Sequence, residues 1–353
     1  MRSPLLDRPG AVGDHVADHY GNPLVEQREL DAGRAVVDFS LAEVVSLTGS
    51  ERLTWLDALC SQSLRGLLPG VTREALILSP EGRVEHRFFL VDDGETAWLL
   101  TDPGASTALL AWLEKMRFRA DVTIALRTDD VTVLAWFGDA LTDTIRDTVA
   151  PLAVLTDPWP GVSEGGWSYG DLDSQTAENP LHWALIRRDS LGAAASLPLA
   201  GSLALNALEV ARGRPSLAEV DEKTLPHEWD WLRTAVHLDK GCYRGQETVA
   251  KVHNLGHPPR RAVLLHLDGS LGELPPDGAV VSHDDAPVGR VTRVVRHYEL
   301  GPLALGIVKR TVPPEAVLSV QWDGGEVSAA QEVIVPPEAG ATRVPEFRRR
   351  PAR

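Results

Sequence analysis

The stretch KGCYRGQE, residues 240–247, gathers a thiol, two cations and two glycines in one short run. Cys242 is one of only two cysteines in 353 residues, and it stands between Lys240-Gly241 and Tyr243-Arg244. Gly241 and Gly245 permit backbone angles closed to other residues, which predicts a tight loop open to close approach. QETVAKVH then reads as a helix starting at about Gly245, with Gln246 and Glu247 in its first turn. Backbone N–H groups at a loop-to-helix start attract anions, and Lys240 and Arg244 add two cations. A free thiol has a pKa near ~8.5, and such surroundings would raise its thiolate fraction several-fold. The run therefore reads as a site for a small carboxylate or phosphate with a reactive thiol beside it. It reads equally as a buried cysteine between two structural glycines.

The elements that must hold this loop are of two textures. RAVVDFSLAEVVSLTG (34–49) carries strand-like apolar runs. SERLTWLDALCSQSLRGLLPG (50–70) reads as a helix capped by Ser50, with Leu53, Leu56, Leu59 and Cys60 on one face, so Cys60 is expected in a core. EALILSP, HRFFLVDD and TAWLLTD read as strands, 104–118 as a helix, and ADVTIALR and VTVLAWFG as further strands. Strands and helices alternate to about residue 212, which predicts an α+β body. From residue 261 six short apolar segments follow at close spacing, with Gly, Pro and Asp turns between them. That pattern predicts a small antiparallel barrel or sandwich. The expected division is an N-terminal arm at 1–33, an α+β region at 34–260, a β-barrel at 261–338 and a disordered tail at 339–353.

Composition narrows the function. The net charge of −15 opposes general nucleic-acid binding. No apolar stretch approaches the ~20 residues that span a bilayer, and two cysteines suggest a reducing cytoplasm. One chain with two cysteines supplies no four-thiolate cluster. Phosphate-loop, dinucleotide, nucleophile-elbow and H-E-x-x-H motifs are absent. HNLGH places His253 and His257 four apart, but Gly256 and Pro258 end the helix there, so no metal site is expected.

KGCYRGQE closely resembles the K-G-C-Y-x-G-Q-E signature of the YgfZ family, folate-binding regulators of iron–sulfur protein maturation. LPHEWDWLRTAVHLD, with Pro226 and Glu228 in frame, and TGSERLTWLDALCSQSL followed by LILSPEGRVEH, are similar to the same family. The likeness spans residues 34 to 335. The family is related to the T-protein of glycine cleavage, an aminomethyltransferase that uses tetrahydrofolate. The resemblance implies an α+β, T-protein-like folate-binding body around a central opening, a C-terminal antiparallel β-barrel, and tetrahydrofolate or a derivative as cofactor. Two departures stand out. GRVEHR leaves Glu85 and His86 where the T-protein has an acidic pair. LEVARGRP puts Ala211 where it has a folate-holding glutamate, and neighbouring Glu209 is expected to point elsewhere if the segment is helical. Both argue against aminomethyl transfer.

A pterin wants a carboxylate and an aromatic wall, and a glutamate tail wants cations. Asp102, Glu219, Glu222 and Glu228 are candidates for the first, Trp98, Trp229 and Tyr243 for the second, and Lys240 and Arg244 for the third. The resemblance implies a folate-binding protein that supports assembly or repair of 4Fe–4S proteins, tRNA-modifying enzymes included, through Cys242. Its partners would be folate and transient iron–sulfur clients. The alternative is a tetrahydrofolate-dependent aminomethyl or one-carbon transferase with Glu85 or His86 as acid or base. A third reading is a scaffold in which Cys242 is structural.

Overall fold

Two five-stranded sheets face each other ahead of a closed six-stranded barrel. The computed structural model describes residues 2–170, 179–270 and 272–343. The first sheet runs in the order Leu199–Ala200, Val36–Asp38, Val131–Phe137, Leu181–Arg187, Ala153–Thr156. The second runs Thr72–Leu78, Val84–Asp92, Thr96–Thr101, Glu43–Thr48, Thr123–Leu126. Pairing is antiparallel except between Val36–Asp38 and Leu199–Ala200.

Period-two alternation explains how the sheets stack. Val131–Phe137 is buried along its whole length. Its Val133, Ala135 and Phe137 meet Phe89, Val91 and Leu100 of the second sheet, whereas Leu134 and Trp136 turn to the outer layer with Ile145. On the far face of the second sheet, Phe88 and Leu90 pack with Leu56 of the helix Arg52–Leu59 and with Leu109 and Leu113 of the helix Ser106–Arg117. Cys60 closes the first of these helices inside that core, and burial pushes its thiol up to about 11. The expected Ser50 cap is replaced: Glu51 holds the cap position, and Ser50 Oγ donates to Asp121 Oδ2 at 2.6 Å.

The barrel comprises Arg260–Leu267, Val280–His283, Ala286–His297, Gly301–Lys309, Leu318–Trp322 and Gly325–Val333. Val263 and Leu265 fill its interior, while Ala262 and Leu264 turn outward to a junction core that includes Trp229 and Trp231.

The expected arm is instead part of the body. Asn22 caps the helix Pro23–Asp31, and Leu5 and Leu30 are fully buried in two different cores. Its apolar residues are too sparse for a periodic signal, although Asn before Pro is a helix-start pattern. Residues 339–343, expected in the tail, are placed against the body. Ala341 N donates to Gly256 O at 2.7 Å and Thr342 Oγ1 to His253 O at 2.9 Å, so residues 339–343 cover the end of the helix Gln246–Leu255. Residues 344–353 lie outside the described residues.

Candidate functional site

A cavity of about 310 Å³ lies between the sheets, closed by the helix Ser202–Ala211 and by the barrel strand that carries Arg293. Phe39, Phe89, Leu100, Trp183 and Leu205 make it largely apolar. Arg87, Asp102, Asn206, Glu209 and Arg293 add polar groups. The helix presents Ser202, Leu205, Asn206 and Glu209, the spacing of one helical face. This corrects the expectation for Glu209. The segment is helical, yet Glu209 faces the cavity, while Ala211, about 200° further round, packs at the junction core.

Charge in the walls is arranged as linked pairs. Arg87 donates to Glu74 at 2.7 Å and to Asp102 at 3.0 and 3.1 Å. Glu74 also meets Arg214 at 3.1 Å and accepts from Thr234 Oγ1 at 2.5 Å. Arg214 continues to Asp157 at 2.9 and 3.1 Å. Burial alone would raise the Glu74 carboxyl, but Arg214 and Arg87 hold it down at about 2. Arg293 pairs with Glu209 at 3.2 Å and Glu219 at 3.0 Å, and donates to Asn206 Oδ1 at 3.1 Å. For Glu209 burial prevails over Arg293 and Arg214, so its carboxyl is pushed up. Trp183, a wall residue, has its Nε1 without a hydrogen-bond partner among the described residues. A flat group with an apolar face and both donors and acceptors on its edge fits this lining.

The 240–247 loop differs from its sequence reading in its cations. Lys240 is no free charge: Nζ donates to the carbonyls of Asp57, Cys60 and Gln62 at 2.6, 2.9 and 2.7 Å. Three ammonium protons meet three carbonyls at the end of the helix Arg52–Leu59. Arg244 is paired with Glu85 at 2.8 Å. Neither cation is set aside for a folate tail. The pairing register of Val84–Asp92 with Thr72–Leu78 slips between Ile77 and Leu78, leaving Glu85 as a bulge residue between His86 and Val84. The bulge sends Glu85 to Arg244 while Arg87 reaches the cavity. His86 is half-buried near Trp112, its pKa lowered by burial and then by Arg244.

Gly245 caps the helix Gln246–Leu255 with φ +82°, and a Cβ there would lie 2.5 Å from Ser79 O. Its glycine serves packing against the chain's own Ser79–Gly82 turn. Gly241 is open, its nearest neighbour being Arg65 Nη2 at 3.9 Å from such a Cβ. Cys242 is exposed. Tyr243 is half-buried against the junction core, its phenol pushed up by burial, and its N–H donates to Gln246 Oε1 at 3.1 Å. Glu247 is exposed in the first helical turn.

Of the other candidates, Asp102 lines the cavity. Glu219 stands behind it, buried, held by Arg293 and capping at Ser216. Trp98 lies elsewhere, with Nε1 on Asp93 Oδ2 at 2.8 Å and Arg127 over its ring. Glu228 is bound to Arg260 at 2.7 Å, Trp229 is buried in the junction core, and Glu222 is exposed. His253 and His257 diverge, toward Tyr169 Oη and Ala339 O. Among the described residues no group of three or more metal-ligating side chains is gathered, and no helix is long and apolar enough to cross a membrane. Reading the sequence missed Phe89, Trp183, Asn206 and Arg293, and turned Glu209 away from the cavity it lines. The available signal was Asn206 and Glu209 within the largely apolar SLALNALEVA.

No protein-family model matches the chain. An aminomethyltransferase of Chromobacterium violaceum is 26% identical over 182 residues, covering 48% of this chain and 49% of its own length. The mitochondrial iron-sulfur cluster assembly factor IBA57 homolog of Mycosarcoma maydis is 26% identical over 268 residues, covering 69% and 59%. The matches thus span about half to three-fifths of the length of these relatives. In structure, the glycine cleavage system aminomethyltransferase T of Bartonella henselae superposes with a TM-score of 0.72 at 16% identity, over 96% of this chain and 97% of that one. The chain has the aminomethyltransferase fold, and its sequence relatives include both an aminomethyltransferase and an iron–sulfur cluster assembly factor.

Proposed function

We propose that the protein binds tetrahydrofolate or a derivative in the central cavity and supports assembly or repair of iron–sulfur proteins through Cys242. The observation that carries this reading is how the carboxylates are engaged. Asp102 is held by Arg87 and Glu209 by Arg293, while Glu85 and His86 lie outside the cavity lining. Those pairs favour recognition of a ligand over acid–base turnover. The exposed thiol, on a loop latched by Lys240, supplies the reactive group. The relation to an assembly factor supports the choice of clients. These would be 4Fe–4S proteins, tRNA-modifying enzymes among them. Two free cysteines suit a reducing compartment such as the cytoplasm.

Phe39, Phe89 and Trp183 would take the faces of a pterin, Glu209 and Asp102 its amino and ring N–H groups, and Asn206 its carbonyl. Folate supplies a one-carbon carrier when bound. Cys242 would offer its thiolate as nucleophile or as a passing ligand to a client's iron.

Two variants test the halves separately. Glu209→Leu should weaken tetrahydrofolate binding in calorimetry by about ten- to a hundredfold, the loss of one charged hydrogen bond. Unchanged affinity would remove Glu209 from the binding site. Cys242→Ala, at equal abundance, should fail to restore 4Fe–4S enzyme activity and tRNA methylthiolation in a deletion strain, where wild type succeeds. Rescue by both would make the thiol structural. One observation favours one-carbon transfer as a second reading: the raised Glu209 carboxyl could carry a proton. Turnover of a small amine donor, lost in Glu209→Gln, would establish it.

A further inference from the structure

A second, polar cleft of about 260 Å³ opens beside the Cys242 loop, lined by Ser63, Arg65, Arg73, Glu164 and His237 among others. Its cationic rim reaches the loop, because Arg65 Nη2 lies 3.9 Å from where a Cβ on Gly241 would stand. The next residue is Cys242. Hydrogen bonds within the chain fix the walls: Ser61 Oγ to Ala235 O at 2.6 Å, Gln62 Nε2 to Thr234 O at 2.7 Å and His237 N to Ser61 O at 3.0 Å.

The charges of the cleft are unevenly matched. Arg65 meets Asp57 at 3.3 Å, but Asp57 also accepts from Leu64 N and lies 3.4 Å from Lys240 Nζ. Arg73 makes no ion pair among the described residues, and its hydrogen bond to Thr72 O is long at 3.4 Å. His237 Nδ1 accepts from Asp239 N at 3.2 Å, which leaves Nε2 as the protonated nitrogen. Glu164 is the one carboxylate in the lining among the described residues. On a chain of net charge −15, the cleft presents two guanidiniums, Arg65 and Arg73, the second without an ion-pair partner among the described residues.

We propose that this cleft is an anion subsite that draws a small carboxylate- or phosphate-bearing ligand to the Cys242 thiol. The proposal is independent of what occupies the central cavity. Where the ligand is a disulfide, the Cys242 thiolate attacks one sulfur, a new S–S bond forms, and the other half leaves as a thiolate.

The test compares two disulfide reagents on the full chain, dianionic dithiobisnitrobenzoate and neutral dithiodipyridine. Cys60 is fully buried, so Cys242 is the reacting thiol, and Cys242→Ala checks this. Arg73→Gln should slow the dianionic reagent about fivefold while leaving the neutral one unchanged. Arg73→Lys should restore most of the rate. At matched ionic strength, phosphate or succinate should slow only the dianionic reaction. Phosphate alone competing identifies a phosphoryl ligand, and succinate alone a carboxylate. An equal ratio of the two rates in wild type and Arg73→Gln, with the neutral rate showing an intact fold, overturns the subsite. That outcome would leave the Cys242→Ala complementation result untouched.

Discussion

Glu74→Ala is expected to remove about 3–5 kcal/mol of stability, a large share of the 5–15 kcal/mol typical of a domain. Glu74 is fully buried and receives Arg87 at 2.7 Å, Arg214 at 3.1 Å and the Thr234 hydroxyl at 2.5 Å. Each arginine keeps one carboxylate without it, Asp102 and Asp157, but the two pairs lose the anion that joins them. Two buried guanidiniums then share too little negative charge, and the Thr234 hydroxyl loses its acceptor. Urea unfolding measures the loss, and a shift below about 1 kcal/mol would show that Arg87 and Arg214 are satisfied elsewhere. The pH dependence has a fixed sign. Glu74 is held at about 2, below its ordinary 4.5, so its contribution is complete above 4.5 and is lost as the pH falls from 4.5 toward 2. Glu74→Ala should lack that acid-side slope. Glu209 acts in the opposite sense. Its raised carboxyl favours the folded state at low pH, and that contribution is lost as pH rises through the folded value.

The same ladder of charges marks the boundary of what the sequence discloses. Barrel strands were legible because each is a short apolar run between turn residues, and six such runs became six strands. The helix start at Gly245 was legible because a glycine precedes good helix formers. The cavity was not, because its members come from both sheets, a helix and the barrel, and no spacing links Arg87 to Arg293. Arginine in a strand such as EHRFFLVD reads as solvated, yet Arg87 is buried at that position. Lys240 shows the reverse failure. A lysine beside a cysteine suggests electrostatic activation, but the carbonyls that claim it lie some 180 residues earlier, at a helix end whose need for donors is invisible locally.

Lys240→Met isolates that role, since methionine keeps much of the apolar stem and removes the three donors. The carbonyls of Asp57, Cys60 and Gln62 then lose their ammonium partner in a region where Lys240 is almost wholly buried. Each buried carbonyl left unmatched costs about 1–3 kcal/mol, and the negative end of the helix Arg52–Leu59 loses its counter-charge as well. The expected result is a clear fall in Tm together with opening of the contact between the helix end and residues 240–247. Cys60 reports the opening directly. Wild type should yield one reactive thiol per folded chain, from Cys242, because Cys60 is fully buried and its thiol is pushed up to about 11. Lys240→Met should yield two, and the double variant with Cys242→Ala should yield one slow thiol where Cys242→Ala alone yields none. A silent Cys60 and an unchanged Tm would mean that the three carbonyls find water or other donors. Lys240 would then be available as a cation for ligand or thiolate, as a purely local reading of KGC suggests.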